Sequence, residues 1–354
     1  MRILIVNYEM DEDSRVLAWQ ARVAQEFARR CEFVAVLTEK LGRFEPPPNM
    51  RVETFAQHPL GLPRRFGTAL LLSGQAFRLC RRYQIDACFI HMAADWAYYL
   101  YPAFRLCDIP VLLWYAHGTV TPRLRLAHAC VSRVVTSTPE GFRIPSRKVR
   151  VIGQGVDTEL FCPPDQYQEP RRDLITISRV SRRKRIDLLL SVMDCLRRIS
   201  GAPSLRLRVI GPLLTTDDLT YDLELRKRVW KMGLQDWVEF VGFVPQEYTP
   251  AFYRSAFLHI NVSQTGSMDK TVLEALACGC LVLTSNEAFR EMLAEYPEFI
   301  LSDERPEAVA EQVLELYTSC NQYDPVKLRS LVVGKHDVQS YVQRLLAQLR
   351  DITV

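Results

Sequence analysis

Two basic residues, Arg179 and Lys184, stand in the run SRVSRRKRID where a helix is expected to begin. Cations at a helix N-terminus oppose the dipole, so a run with only a structural purpose is disfavoured there. Arg grips phosphate oxygens as a planar fork and Lys acts as a point charge, so the pair suits a phosphate-bearing ligand. A second anion-ready feature is the stretch Ser263 to Gly279, SQTGSMDKTVLEALACG. Its turn, Thr265-Gly266-Ser267, places backbone N–H groups at the N-terminus of a helix, where four of them lack helical partners. Asp269 and Lys270 follow the turn, and Glu274 lies one to two turns inside the helix. Local sequence leaves Glu274 open between an exposed helix residue and a site carboxylate. His91, Asp95 and His117 fall at or just beyond the ends of apolar runs, where a His is as often a hydrogen-bonded loop residue as a ligand contact.

These groups need elements to hold them. AFLHINV before the Ser263 stretch and CLVLTSN after it read as buried strands, and TVLEALA between them as a helix. The first half of the chain alternates in the same way, which predicts an α/β fold with a parallel doubly wound sheet. RILIVN, FVAVLT, IDACFIH and VLLWYAHG read as strands, Ser14 to Arg30 as a helix capped by Ser14, and Trp96 to Leu106 as another helix. The second half repeats the alternation with DLITISR, LRLRVIG and VEFVGFV as strands. Strand ends at Gly211 and at Val241 to Val244 are bounded by Gly. The expected division is 1–165, 166–335 and a C-terminal segment 336–354, amphipathic from Asp337 to Leu349.

At 354 residues the chain suits two domains of about 150 residues each. A hydrophobic content of 48% with 24% charged residues is that of an ordinary globular protein. The net charge of +4 gives no support to nucleic-acid binding. Ten Cys without metal-ligand spacing indicate a reduced, cytoplasmic protein. MRILIV reads as a first strand and not a leader, and no apolar run is long enough to span a membrane.

The motifs together resemble those of retaining glycosyltransferases of family 4, the group 1 glycosyl transferases of the GT-B fold. Ser263, Glu274 and Ala275 to Gly279 match that family's nucleotide-sugar motif without a gap. IGQGVDTELFCP, from Ile152 to Pro163, is similar to its interdomain crossover, and Arg179 and Lys184 take its two basic positions. Gly211 and the Val241 to Val244 stretch are similar to its strand ends beside the nucleotide, and His91 to a His that contacts the transferred sugar. The departures are Gly266 in place of a first glutamate, Ser178 and Arg185 in place of two glycines, and Gln154 in place of an Asn.

The resemblance implies two Rossmann-like domains facing a central cleft, with the acceptor on the first domain and the nucleotide sugar on the second. It implies a hexosyltransferase that moves a sugar to an acceptor hydroxyl on a glycan, a lipid-linked molecule or a small molecule, with retention, without a cofactor and without a metal. Catalytic roles fall to His91, Arg179, Lys184 and Asp269, and donor binding to Gly211, Val244, Gly266, Ser267, Lys270 and Glu274. Asp269 stands in for the absent glutamate or else caps the helix. The alternative is a nucleotide-binding protein of this fold that has lost transfer. Asp11 and Asp13 form a D-x-D that reads as a solvated acidic loop, and residues 64–82, cationic at both ends, read either as a core-packed helix with ordinary flanking charges or as a face for peripheral contact with the inner membrane face.

Overall fold

The computed structural model describes residues 1–55, 64–167, 171–263 and 266–353, with backbone alone for 64–70. The chain divides into two compact units, Met1–Gly155 with Val338–Val354, and Val156–Asp337.

The first unit follows the order β1 (Arg2–Met10), α1 (Ala18–Arg30), β2 (Phe33–Leu41), β3 (Met50–Thr54), α2 (Arg64–Tyr83), β4 (Ala87–His91), α3 (Ala94–Tyr99), α4 (Tyr101–Leu106), β5 (Val111–Trp114), α5 (Pro122–Cys130), β6 (Arg133–Thr136) and β7 (Val149–Val151). Its strands form one sheet in the order β3-β2-β1-β4-β5-β6-β7, with parallel pairing throughout. Apolar runs buried on both faces make such strands, because helices must cover each side of a parallel sheet. One core holds α1 against Ile3, Ile5 and Phe89, and the other holds α2 against Leu4, Val6 and Ile90.

Helix α1 begins four residues later than Ser14. The Ser14 hydroxyl still accepts from Leu17 N–H (3.0 Å), but it also donates to Glu9, and the three intervening residues form turns. The expected helix from Trp96 to Leu106 is two short helices, α3 and α4, which meet at Leu100.

The second unit contains β8 (Asp173–Ile177), α6 (Ile186–Arg198), β9 (Arg206–Ile210), α7 (Thr216–Met232), β10 (Val238–Gly242), α8 (Thr249–Ser255), β11 (Ala256–Asn261), α9 (Lys270–Ala277), β12 (Leu281–Thr284), α10 (Pro306–Ser319) and α11 (Pro325–Ser330). Its parallel sheet has the order β10-β9-β8-β11-β12. Helix α12 (Val338–Thr353) belongs to the first unit, where Tyr341, Val342, Leu345 and Leu349 are fully buried beside α1. Its seating is fixed by Gly155, where a Cβ would lie 2.8 Å from the Tyr341 ring.

Strand order reverses between β8 and β11, since β8 connects onward to β9 on one side and β11 to β12 on the other. Open parallel sheets bind ligands outside the C-terminal strand ends at such a switch point. The residues just beyond β8 and β11 are those that carry the basic pair and the Ser263 stretch.

Candidate active site of the second unit

After β8 the chain keeps strand pairing for three more residues. Ser178 N–H donates to Ile210 O (2.9 Å) and Val180 N–H to Pro212 O (3.1 Å). Arg179 lies between them and is held as a fork by Asp218, with Nε to Oδ2 at 2.7 Å and Nη2 to Oδ1 at 3.0 Å. Asp218 also closes the cap of α7: its N–H donates to the Thr215 hydroxyl (3.2 Å) and its carboxylate accepts from Thr215 N–H (3.1 Å). Burial pushes the Asp218 carboxyl up, but Arg179 and the amides of Leu214 and Thr215 outweigh it and leave it below its ordinary value. Thr215-x-x-Asp218 is a capping box, a signature present in the sequence.

The basic run continues as a single tight turn over Arg182–Lys184 and ends at Arg185, whose φ of 50° and ψ of 42° are left-handed. The family pattern puts Gly there, and this backbone shows why. Arg185 takes the conformation with its guanidinium bound to Glu304. That turn directs Lys184 to the other strand end. Its ammonium reaches both Asp269 oxygens (3.2 Å each) and the Ser263 hydroxyl (3.3 Å).

Asp269 also accepts from Ser263 Oγ (2.6 Å) and Asn261 Nδ2 (3.0 Å), both on Oδ2. Although Asp269 occupies the N-cap position of α9, its side chain makes no capping hydrogen bond. Capping is thus not its role. Burial raises the Asp269 carboxyl, and Lys184, Ser263 and Asn261 together bring it below its ordinary value. Among the described residues Oδ1 receives only Lys184, so it retains acceptor capacity.

Glu274 is 6% exposed, which excludes the exposed-helix reading. Tyr253 Oη donates to its Oε2 (3.0 Å) and Gln246 Nε2 to its Oε1 (3.3 Å). Burial pushes its carboxyl up, while Tyr253, Lys270 and Gln246 pull the other way. Burial likewise holds the Lys270 ammonium well below its ordinary value, opposed by Glu274. Tyr253 and Gln246 were not signalled by sequence, because each meets Glu274 only through the packing of α8 against the sheet. Tyr253→Phe is expected to cost about 1 kcal/mol, the worth of one hydrogen bond to a charged or buried acceptor, and to raise the Glu274 carboxyl further. A thermal melt together with carboxyl titration by NMR would check both.

Gly211 sits where β8 and β9 end, with φ of 149°, and a Cβ on it would lie 1.8 Å from Ser178 O. Gly266 is left-handed at φ 68°, and Ser267 O accepts from Asn286 Nδ2 (2.8 Å). Thr265 of the same turn lies outside the described residues. Val244 is half-buried against the core beside Gly242. The structure therefore gathers Lys184, Asp269 and Ser263 into one cluster, sets Lys270 and Glu274 on the adjoining helix, and links Arg179 to α7.

In the first unit His91 closes β4 and is 1% exposed. Its ring stands edge-on to Trp19 (4.3 Å between centroids) and Trp114 (5.2 Å), with Phe89 at 5.3 Å. Nearby strand ends carry an aromatic cluster in which the half-exposed Tyr8 lies 4.6 Å from Trp96, and Phe55 lies 4.5 Å from the same ring. Asp95 raises the Tyr8, Tyr98 and Tyr115 hydroxyls, after burial has done most of the raising, and it receives Arg123 Nη1 at 3.4 Å. His117 Nδ1 accepts from Thr119 N–H (3.4 Å). The D-x-D aspartates serve the loop itself. Asp13 takes a two-pronged contact from Arg43 (2.6 Å each), and Asp11 accepts the amides of Asp13 and Arg43.

Residues 171–319 match the family described as Glycosyl transferases group 1. Mannosylfructose-phosphate synthase of Agrobacterium fabrum is 27% identical over 162 residues, covering 41% of this chain and 36% of that protein. The lipopolysaccharide core biosynthesis mannosyltransferase LpsB of Rhizobium meliloti is 32% identical over 158 residues, covering 40% of this chain and 42% of that protein. The chain thus spans well under half the length of these relatives. Among solved structures, sucrose-phosphate synthase from Thermosynechococcus elongatus superposes with a TM-score of 0.81 at 16% identity over 99% of both chains. Anabaena HepE in complex with UDP-glucose does so at 0.77 and 15% identity, over 99% of this chain and all of that one. The chain has the GT-B fold of two Rossmann-like units, and its second unit is similar in sequence to the group 1 glycosyl transferases.

Proposed function

We propose that the protein is a retaining glycosyltransferase of the family 4 type, which moves a sugar from a nucleotide-sugar donor to an acceptor hydroxyl without a metal. The observation that carries this reading is the Lys184–Asp269–Ser263 cluster at the switch point of the second unit, within the residues similar to group 1 glycosyl transferases.

In this reading the bond between the sugar's anomeric carbon and the diphosphate breaks, a bond from that carbon to the acceptor oxygen forms, and the acceptor proton leaves to a phosphate oxygen. Charge builds on the departing diphosphate, and fixed cations stabilise it without reorganising. Lys184 and Arg179 supply that charge, and Lys270 and the N–H groups at Gly266 and Ser267 add hydrogen-bond donors. Asp218 uses Arg179 Nε and Nη2 and so positions the guanidinium with its Nη1 protons left for phosphate. Asp269 Oδ1 accepts from a donor-sugar hydroxyl. Glu274, fixed by Tyr253 and Gln246, accepts from the ribose, while Gly211 and Val244 line the nucleotide.

Acceptor recognition falls to the first unit. The outward face of α2 presents Leu71, Phe77, Arg78, Arg81 and Arg82, which supports peripheral contact through residues 64–82. The side chains of 64–70 lie outside the described residues. Among the described residues no helix is long and apolar enough to cross a membrane. A cytoplasmic location at the inner membrane face fits this reading.

A thermal-shift screen of nucleotides and nucleotide sugars tests the donor side, since ligands raise stability only by binding the folded protein. A nucleoside diphosphate and its sugar conjugate should both stabilise, and incubation of the conjugate with acceptors should release the diphosphate. Stabilisation without any release would identify a nucleotide-binding protein. Arg179→Ala should weaken diphosphate binding about tenfold, as the loss of one charge-assisted contact does. Unchanged affinity would remove Arg179 from the clamp.

A further inference from the structure

Two neighbouring strands of the second unit end in polar residues that are wholly buried. Asn261 closes β11, and Thr284, paired with it in register, closes β12. Asn286 follows two residues later, and each of the three is at most 4% exposed. A buried polar side chain is costly unless its hydrogen bonds are made, and here they are made to one another and to the donor cluster.

The bonds run in one direction. Asn286 N–H, which can only donate, reaches Thr284 Oγ1 (3.1 Å). The single proton of that hydroxyl is then directed at Asn261 Oδ1 (3.2 Å). An amide whose oxygen faces Thr284 turns its NH2 the other way, and Asn261 Nδ2 donates to Asp269 Oδ2 (3.0 Å). The opposite orientation would set the amide oxygen against the carboxylate, so the Thr284 hydroxyl fixes the polarity of the whole chain. Ser263 loads the same oxygen, and Oδ1 is left with Lys184 among the described residues. A second branch leaves Asn286. Its Oδ1 accepts from Ala288 N–H (3.1 Å), and its Nδ2 donates to Ser267 O (2.8 Å), which fixes the peptide that follows the left-handed Gly266 turn.

We propose that Asn261, Thr284 and Asn286 are positioning residues for the nucleotide-sugar donor: the Thr284–Asn261 relay aims Asp269 at a hydroxyl of the transferred sugar, and the Asn286 side chain sets the Ser267 turn for the diphosphate. This role rests on the transferase reading and carries it from the groups that meet the donor to the strand ends behind them. All three act through other groups, because their side-chain polar atoms are occupied by Asp269, Ser267, Ala288 and one another. A carboxylate held from behind needs no reorganisation when the sugar arrives, and a small misplacement of it is costly. A network with only a structural purpose would change melting temperature and leave the ligand affinities of the folded protein as they were.

The test is calorimetric titration of the whole protein, well below its melt, with UDP, GDP and ADP and with UDP-glucose, GDP-mannose and ADP-glucose. Thr284→Val keeps the shape of the side chain and removes the relay. It should weaken the sugar conjugate about fivefold relative to its own diphosphate, the worth of one hydrogen bond, while the diphosphate binds as it does to the parent. Asn261→Ala breaks the same relay one residue later and should behave alike. Thr284→Ser loses a buried methyl group but keeps the hydroxyl, so it should melt lower and yet bind the conjugate as the parent does. Asn286→Ala keeps the N–H to Thr284 and should weaken diphosphate and conjugate together, several-fold. Carboxyl NMR reads the relay without any ligand: Asp269 should titrate higher in Thr284→Val, having lost the orientation of one of its donors, and return in Thr284→Ser. Parent-like binding of the conjugates by Thr284→Val and Asn261→Ala overturns the proposal, as does a loss in Thr284→Ser equal to that in Thr284→Val. A parent that binds none of these nucleotides overturns the transferase reading itself, and the proposal with it.

Discussion

Asp269→Asn is expected to lower sugar transfer about a hundredfold, the typical cost of losing one preorganised electrostatic contact, while the fold loses about 2 kcal/mol. The carboxylate answers Lys184 with both oxygens and takes hydrogen bonds from Ser263 and Asn261. An amide keeps the shape but removes the charge, so Lys184, whose side chain is 18% exposed, loses its one carboxylate partner among the described residues. One end of the amide also presents N–H groups to donors. Ser263 and Asn261 then face a worse acceptor, and Lys184 is free to turn.

The acid limb of stability changes with it. Asp269 is held below its ordinary value in the folded protein, so its contribution is present above the unfolded carboxyl value of about 3.9 and is lost as pH falls through the folded value. The Asn variant should therefore show a shallower loss of stability below about pH 4 than the parent. Adding Lys184→Met to the Asn variant removes the stranded charge, so it should recover stability but not transfer. Near-normal transfer by Asp269→Asn would mean that Asp269 is structural and only orders Lys184.

How much of this was legible before any coordinates follows from where the partners lie in sequence. The strands β1, β2, β4, β8, β11 and β12 contain apolar runs buried on both faces, and such runs announce themselves. Strand β3 did not. MRVET carries two charged residues, and as the edge strand it buries only Met50 fully. Arg179 and Lys184 could be placed at a strand end from the motif, but their carboxylate partners could not. Asp218 is 39 residues from Arg179 and meets it across the neighbouring ends of β8 and β9, while Asp269 is 85 from Lys184 and meets it across the switch point between β8 and β11. Asp269 sits at a cap position in sequence, which made capping a reasonable alternative. The nearby ammonium is a stronger partner than a backbone amide, and it took the carboxylate instead.

The aromatic enclosure of His91 was likewise beyond sequence, since Trp19, Phe89 and Trp114 come from three elements. By contrast the two left-handed turns at Gly211 and Gly266 follow from residue type. Only Gly reaches those angles without cost, and both positions stood out as glycines at strand ends or turns. Arg185 shows the limit of that rule. It adopts φ of 50° where the family pattern has Gly, held by Glu304 at its far end.

Gly211→Ala is expected to destabilise the second unit by about 3 kcal/mol or more, combining overpacking with an unfavourable φ. Its Cβ would stand 1.8 Å from Ser178 O and 2.6 Å from Ser178 C, atoms of the backbone that no rotamer change can move aside. The backbone must separate there, yet Ser178 N–H and Val180 N–H are bonded to the carbonyls on either side of Gly211, and Gly211 N–H to Gly242 O (2.8 Å). Relief of the clash therefore breaks the pairing that carries Arg179 past the sheet, and Arg179 moves away from Asp218. For a unit of this size the loss corresponds to a melting temperature lower by roughly 6–12 °C. Nucleotide binding should weaken by more than the Arg179→Ala change alone causes, because the strand end shifts as well. Gly201→Ala is the control, since a Cβ there meets nothing within 4 Å although its φ of 78° is also positive. That variant bears only the backbone cost, about 1 kcal/mol. Equal melting temperatures for the two variants would show that the strand end yields to a side chain, and Gly211 would then not be what holds Arg179 in place.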